Sequence, residues 1–237
     1  MTPLLELKDV HASYGGALVL DGVSLSVDAG ETVGLIGRNG AGKTTTLLSI
    51  FRVPTVRGEI LVGGKPLGKR RYEPASRGVS LVPQGKQIFP NLTVEENIEL
   101  GRASGRKCDW SVKRLLELFP NLARASGRPG NQLSGGEQQM LAIGRALLGN
   151  PELLIMDEPS EGLAPAIVEG MIATCKTLVE EGMAILIVEQ NLGVATSIAE
   201  RQLVMVSGRI AAETTAAALV EDADAQRRYL GVEPLAS

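Results

Sequence analysis

Gly37-Arg38-Asn39-Gly40-Ala41-Gly42-Lys43-Thr44 matches the full G-x-x-x-x-G-K-[ST] pattern, whose chemistry is done by main-chain amides as much as by side chains. Glycines let the backbone wrap closely and aim successive N–H groups at phosphate oxygens, at the positive end of the following helix. Lys43 is placed to reach the β- and γ-phosphates of a nucleotide, and the Thr44 hydroxyl to ligate Mg²⁺. The nucleotide-contacting set is Gly37, Arg38, Asn39, Gly40, Ala41, Gly42, Lys43, Thr44 and Thr45. A ligand-free glycine turn between strand and helix accounts for some of these residues, but not for the whole pattern in register.

Two further constellations carry chemistry. Leu153-Leu154-Ile155-Met156 is a buried strand that ends in Asp157-Glu158, at the edge where open α/β sheets bind ligands. Strand alternation points the two carboxylates apart and gives them different work. Asp157 helps hold Mg²⁺, and Glu158 is the general base that polarises an attacking water. The plainer alternative is a strand ending in solvated charges before Pro159. Earlier, Leu133-Ser134-Gly135-Gly136-Glu137 opens a helix whose apolar stripe is Met140, Leu141, Gly144, Leu147 and Leu148. Ser134 and Glu137 have the spacing of a capping box, and in isolation capping would suffice. It does not explain two glycines in the first turn, each costing about 1 kcal/mol relative to alanine. A bare helix N-terminus closely approached by an anion does.

These residues need elements to position them. Leu4 to Val10 and Val19 to Val27 alternate as half-buried strands of an antiparallel sheet, with Glu59 to Val62 as an edge strand. Thr32 to Ile36 is a short buried strand feeding the phosphate loop, and Thr44 to Phe51 is the helix leaving it. Gly78 to Pro83 is a strand ending at Gln84. From Thr93, with a capping box to Glu96, the pattern is helical to about Leu148, interrupted by Arg124 to Asn131. The sheet resumes at Leu153 to Met156 and Ala184 to Val188, with a helix over Ile167 to Glu181 between them, and ends in a hairpin over Gln202 to Ala212. The predicted class is α/β: a nucleotide-binding core with an antiparallel sheet over about 1–90 and 151–213, a helical subdomain over about 91–150, and a short helical tail over about 214–237.

Composition disfavours several roles. With 22% charged residues and a net charge of −3, no basic excess invites nucleic acid. Cys108 and Cys175 form no C-x-x-C pair, so both read as packing residues in a reducing compartment. The longest apolar run, Met183 to Val188, is of strand length, and Met1 to Glu6 lacks the regions of a secretory signal, so any membrane crossing is expected of other chains.

The phosphate loop, Leu133 to Glu137 and Leu153 to Glu158 together resemble the ATP-binding cassette of ABC transporters, over about Leu5 to Glu213. The resemblance implies a P-loop ATPase that binds Mg·ATP between two cassettes, with Ser134, Gly135, Gly136 and Glu137 lying on the γ-phosphate held by a partner subunit. It implies adenine stacking by Tyr14, and a metal-ligating and sensing role for Gln84. Gln87 to Asn97 would line the groove for a permease's coupling helix. Two departures stand out. The family's switch position usually carries histidine, whereas here it is Gln190, which donates a hydrogen bond but carries no proton. The catalytic set is then Glu158, Gln190, Lys43 and Gln84, and the metal set Thr44, Gln84 and Asp157. Ala164 stands where most cassettes place aspartate. The run Val188-Glu189-Gln190-Asn191, with Glu137 to Arg145 and Gly162 to Pro165, resembles the smaller ATPase subunit of branched-chain amino acid importers, the LivF type. Val82-Pro83-Gln84-Gly85-Lys86 also resembles the sister subunits of urea or short-amide uptake. The partners so implied are a second cassette, identical or related, transmembrane permease subunits and, indirectly, a periplasmic or extracellular solute-binding protein. The place implied is the cytoplasmic face of the cell membrane, as a peripheral subunit. A soluble cassette ATPase of iron–sulfur assembly shares the nucleotide motifs. An unrelated P-loop small-molecule kinase would share the loop alone.

Overall fold

Residues 2–104 and 109–227 are described by a computed structural model of the chain; Cys108 lies outside them. Strand alternation builds two sheets among these residues. β1 (Leu5–Tyr14), β2 (Ala17–Val27), β4 (Thr55–Val62) and the two-residue β5 (Lys65–Pro66) form an antiparallel sheet in the order β2-β1-β4-β5. β4 therefore lies inside this sheet, not at the edge expected of Glu59 to Val62, because Gly63-Gly64 returns the chain for one further short pairing. The central sheet runs β10-β9-β3-β8-β7-β6, comprising β3 (Thr32–Ile36), β6 (Val79–Val82), β7 (Leu153–Asp157), β8 (Ala184–Glu189), β9 (Arg201–Val206) and β10 (Arg209–Thr215). All neighbours are parallel except the terminal β9–β10 hairpin.

Both faces of the central sheet are covered, as parallel strands require. Leu153 and Ile155 of β7, with Leu186 and Val188 of β8, pack with the antiparallel sheet and with Leu47 and Ile50 of α1 (Lys43–Ile50). Leu154, Met156, Ile185 and Ile187 face the other way. There they meet Leu141 and Leu147 of α6 (Gly135–Leu147), and Met171, Cys175 and Leu178 of α7 (Pro165–Glu180). Burial pushes the Cys175 thiol up to about 12, so this cysteine is an inert packing residue.

Between β6 and β7 lie α2's successors α3 (Val94–Glu99), α4 (Val112–Leu118), α5 (Pro120–Arg124) and then α6; α2 itself (Glu73–Ser76) precedes β6. The Thr93–Glu96 capping box that starts α3 is formed on both sides. Behind it, the fully buried Asn97 amide accepts from Phe89 N and donates to the carbonyls of Phe89, Leu92 and Thr93, stapling the turn that leads in from Gln84. α8 (Leu192–Ile198), a helix that sequence periodicity did not signal, starts from an Asn191 cap. The tail gives two helical pieces, α9 (Ala216–Glu221) and α10 (Ala223–Ala225), within its described part.

Two arginines tie the sheets: Arg209 on β10 pairs with Asp21 on β2, and Arg201 makes the larger set of contacts. Arg201 on β9 donates Nε to Glu31 Oε1 at 2.6 Å and Nη2 to Glu31 Oε2 at 3.2 Å, reaches Glu213 on β10 at 3.1 Å, and also donates to the Ser26 carbonyl on β2. Burial alone would raise the Glu31 pKa, but the Arg201 guanidinium and the Asp28 amide outweigh it and hold the carboxyl below its usual 4.5. Arg201→Met is expected to cost about 1–2 kcal/mol at neutral pH by denaturant unfolding. Because the folded-state pKa of Glu31 is depressed, its share is present above pH 4.5 and disappears as pH falls through the folded value. The gap between variant and parent should accordingly narrow in acid.

Candidate functional site

β3 ends at Ile36 between β9 and β8, and the chain turns at once into the glycine loop. A β-carbon at Gly37 would stand 2.4 Å from the Met205 carbonyl oxygen, so β9 leaves space only for glycine. Gly42 takes φ 108°, which glycine alone adopts without strain. The loop is pinned from behind, where Gly208 N of the β9–β10 turn donates to Ala41 O at 2.8 Å. α1 then begins with Gly42 at its N-cap, with no capping side chain and no acidic residue in its first turn. Its leading amides have no internal partner, and the positive end of the helix stays open to an anion.

Above it is a cavity of about 420 Å³, lined by Asn39, Gly40, Gly42 and Lys43 to Thr45, with Val19, Gln84 and Glu158. Lys43, only 4% exposed, donates to the carbonyls of Gly37 and Arg38 at 3.0 and 3.3 Å and pairs with Glu158 Oε1 at 3.2 Å. Thr44 donates its hydroxyl to Asp157 Oδ1 at 3.2 Å. Gln190 Nε2 reaches both Glu158 oxygens, at 3.2 and 3.3 Å, and Asn39 Oδ1. Gln84 Nε2 donates to Glu161 at 2.9 Å and to Glu158 at 3.3 Å.

Asp157 and Glu158 do not point apart. β7 ends at Asp157, and Glu158 adopts a left-handed φ of 46°, so the alternation stops and both carboxylates reach consecutive residues of the phosphate loop. A non-glycine residue in this region stores strain, of order 1–3 kcal/mol. Burial pushes the Asp157 carboxyl up to about 6; the Thr44 hydroxyl and the Lys43 ammonium act against that, and the charges of Glu158 and Glu161 add to it. Thr44, Asp157 and the Gln84 amide oxygen are hard donors of the kind Mg²⁺ takes, and a divalent cation would offset the cost of the ionised, buried Asp157. The residues fit that ion. Gln84 here turns its nitrogen to the carboxylates, so serving a metal would require the other end of its amide.

The remaining residues singled out in the sequence stand apart from this cavity. Tyr14 is exposed at the tip of the β1–β2 hairpin. Ser134 to Glu137 form the capping box that opens α6, and they do not line the cavity. One of the two glycines there has a packing cause: a β-carbon on Gly136 would stand 2.8 Å from the Ile167 side chain on α7. Gly135 has no such neighbour, and only the Lys86 Nζ comes within range, at 3.4 Å. Ala164 is the N-cap of α7 and supplies no side-chain cap, leaving Pro165 to start the helix. Two acids escaped sequence reasoning. Glu161 holds Gln84. Glu189, 2% exposed and with its pKa raised by burial, accepts from Ser160 N at 3.0 Å and Asn191 N at 3.4 Å, joining the end of β8 to the turn after Glu158. Its signal was an acid closing the apolar run Ala184 to Val188.

The family profile described as ABC transporter matches residues 20–161. The high-affinity branched-chain amino acid transport ATP-binding protein BraG of Pseudomonas aeruginosa is 40% identical over 232 residues, covering 96% of this chain and 100% of that protein. Among solved structures, the ADP conformation of MJ1267, an ATP-binding cassette of an ABC transporter, superposes with a TM-score of 0.84 at 27% identity, covering 98% of this chain and 100% of that one. The dimeric post-hydrolysis state of the ATP-binding cassette MJ0796, bound to ADP and Pi, gives 0.79 at 28% identity, covering 90% and 98%.

Two outcomes follow from this geometry. In the metal-free chain, Asp157→Asn should raise stability at pH 7, on the order of 1–3 kcal/mol. The folded pKa of Asp157, about 6, exceeds its usual 3.8, so the penalty is full above pH 6 and vanishes as pH falls toward 3.8; thermal melts in chelator across that range should show the gap closing. Ala164→Asp should restore a cap to α7 and raise the unfolding free energy by about 1 kcal/mol, read by urea titration.

Proposed function

The chain belongs to the ABC transporter ATP-binding family and is an ATPase, and on that footing we propose that it is the ATP-hydrolysing subunit of an importer that takes up branched-chain amino acids through separate permease subunits. The full-length likeness to BraG supports the solute. The observation that carries the mechanism is a divided site: Lys43, Thr44, Gln84 and Glu158 line one cavity, with Asp157 and Gln190 bonded to them, while the Ser134 helix start does not line it.

Two cassettes then face one another, this chain and an identical or related companion, each offering its Ser134 element to the other's nucleotide. Without nucleotide, the Lys43 ammonium is held by two loop carbonyls and by Glu158. A triphosphate seated on the amides of Gly40 to Thr45 draws Lys43 to its β- and γ-oxygens and frees the Glu158 carboxylate for water. Glu158, held by the Gln190 and Gln84 amides, takes the proton as water attacks. Gln190 donates a hydrogen bond at the γ-phosphate and moves no proton. Thr44, Asp157 and the Gln84 oxygen are the residues that would hold Mg²⁺, which when bound would neutralise phosphate charge. Tyr14, at its hairpin tip, stacks on the adenine. Closure of the pair drives the permease and hydrolysis reopens it, with the subunit lying at the cytoplasmic face of the membrane.

Glu158→Gln should bind Mg·ATP with parental affinity yet lose turnover by about 10²-fold or more, and accumulate an ATP-bound dimer on sedimentation. Near-normal hydrolysis would remove Glu158 as the base. Ser134→Arg should leave nucleotide binding by the monomer intact and abolish hydrolysis. Co-purification in mild detergent should bring permease subunits; recovery of iron–sulfur scaffold proteins in their place would overturn the transport reading.

A further inference from the structure

Glu189 has no part in the mechanism so far, yet its carboxylate is buried at the point where β7 and β8 separate. It is 2% exposed, and among the described residues no lysine or arginine pairs with it. Burial raises its pKa against the Ser160 hydroxyl and the Ser160 and Asn191 amides, and the nearby charge of Glu158 adds to the rise. An acid held out of water without a cation is costly. A strand end that needed only burial would carry one more apolar side chain, as Ala184 to Val188 do.

The carboxylate ends a ladder. β7 and β8 pair in parallel from Leu153 and Ala184 to Asp157 and Val188, and Glu158 N still donates to Val188 O at 2.9 Å. One step further, the same pattern would send Ser160 N to the main-chain carbonyl of Gln190. Ser160 N donates instead to Glu189 Oε1 at 3.0 Å, while Glu189 Oε2 accepts from Asn191 N at 3.4 Å. The side chain takes the place of the next rung, and the two main chains part beyond it. In a continuing sheet Glu158 would stand opposite Glu189, and Gln190, one residue on, would lie on the other face. Because the ladder stops, Gln190 Nε2 comes to both Glu158 oxygens, at 3.2 and 3.3 Å. The turn that Ser160 belongs to also carries Glu161, the acid that holds Gln84.

From this we infer that Glu189 is a positioning residue for ATP hydrolysis: its bonds to Ser160 N and Asn191 N lock the turn after Glu158 against the start of α8, and so hold the base and the Gln190 amide together. The inference rests on the reading of Glu158 as the base and names the group that orients it. Glu189 does not line the phosphate cavity, and it acts through Glu158. The reach of the side chain matters as much as its acceptors. Aspartate is a methylene shorter, so it keeps the local bond to Asn191 N and loses the one across to Ser160. Glutamine keeps its oxygen for Ser160 N and gives up only the longer bond.

The test is steady-state ATP hydrolysis by full-length variants, with the companion cassette present where it is distinct, counting only the turnover that Glu158→Gln removes. Glu189→Asp and Glu189→Ala should lower kcat about tenfold or more with KM for ATP within about twofold, while Glu189→Gln stays within about threefold of the parent. Amide hydrogen exchange should follow the same order, faster at Ser160 in Glu189→Asp and Glu189→Ala and close to parental in Glu189→Gln. Parental kcat in Glu189→Asp overturns the inference, because the bond to Ser160 would then be idle. Glu189→Gln failing as fully as Glu189→Asp also overturns it, making charge the requirement rather than the bridge. A loss confined to KM overturns it in favour of nucleotide binding. Should Glu189→Ala not fold, the contrast between aspartate and glutamine decides alone. If Glu158→Gln removes no turnover, the base reading falls and the part of Glu189 with it; a parental Glu189 series beside an inactive Glu158→Gln strikes the inference and leaves the base standing.

Discussion

Everything at the nucleotide end of this molecule is arranged around one buried ammonium. Lys43 has two backbone carbonyls and one carboxylate to satisfy it, and all three come from segments that the central sheet delivers to a single edge. β3 supplies the loop, β7 supplies Asp157 and Glu158, and β8 supplies the chain that leads to Gln190. Parallel pairing of β7 with β8 sets Asp157 beside Val188, and so fixes the separation at which the Glu158 carboxylate and the Gln190 amide meet. The register of the sheet is, in this sense, the first determinant of the geometry at this edge.

The same edge shows how four carboxylates can be crowded together, each with its own donor. Asp157, Glu158, Glu161 and Glu189 lie within one short stretch of space, and each is held by a different donor: Thr44, Lys43, Gln84 and the amide of Ser160. The two most buried of them, Asp157 and Glu189, are left with raised pKa values. A site of this kind is incomplete in charge, and a divalent cation is the group that would complete it.

Much of this was legible beforehand, for physical reasons that can be named. β3, β7 and β8 are buried on both faces and read as unbroken apolar runs, while the glycine loop is marked by a pattern that spans a strand end and a helix start. α8 was hidden because Gly193, Thr196 and Ser197 dilute its apolar face; it is secured instead by the Asn191 cap and by the buried Gln202 amide, which donates to Ala195 O and Ala199 O. The direction of Glu158 was misjudged because alternation holds only while the strand lasts, and a single left-handed residue ends it. Glu161 and Glu189 could not be ranked from sequence, since their importance lies in long-range hydrogen bonds. The glycines of the Ser134 element looked alike in one dimension, whereas Ile167 requires one and Lys86 occupies the space beside the other.

The separation of the Ser134 helix start from the phosphate cavity has a kinetic meaning for the cell. On the two-cassette reading, a chain carrying half of each site hydrolyses ATP only in pairs, so the rate when dilute rises with the product of the two cassettes' free concentrations. Subunits made in excess, or waiting for a permease, would then consume almost no ATP. Docking two of them side by side raises their local concentration by orders of magnitude and acts as the ignition. The permease would in that way meter fuel use simply by bringing two quiet halves together.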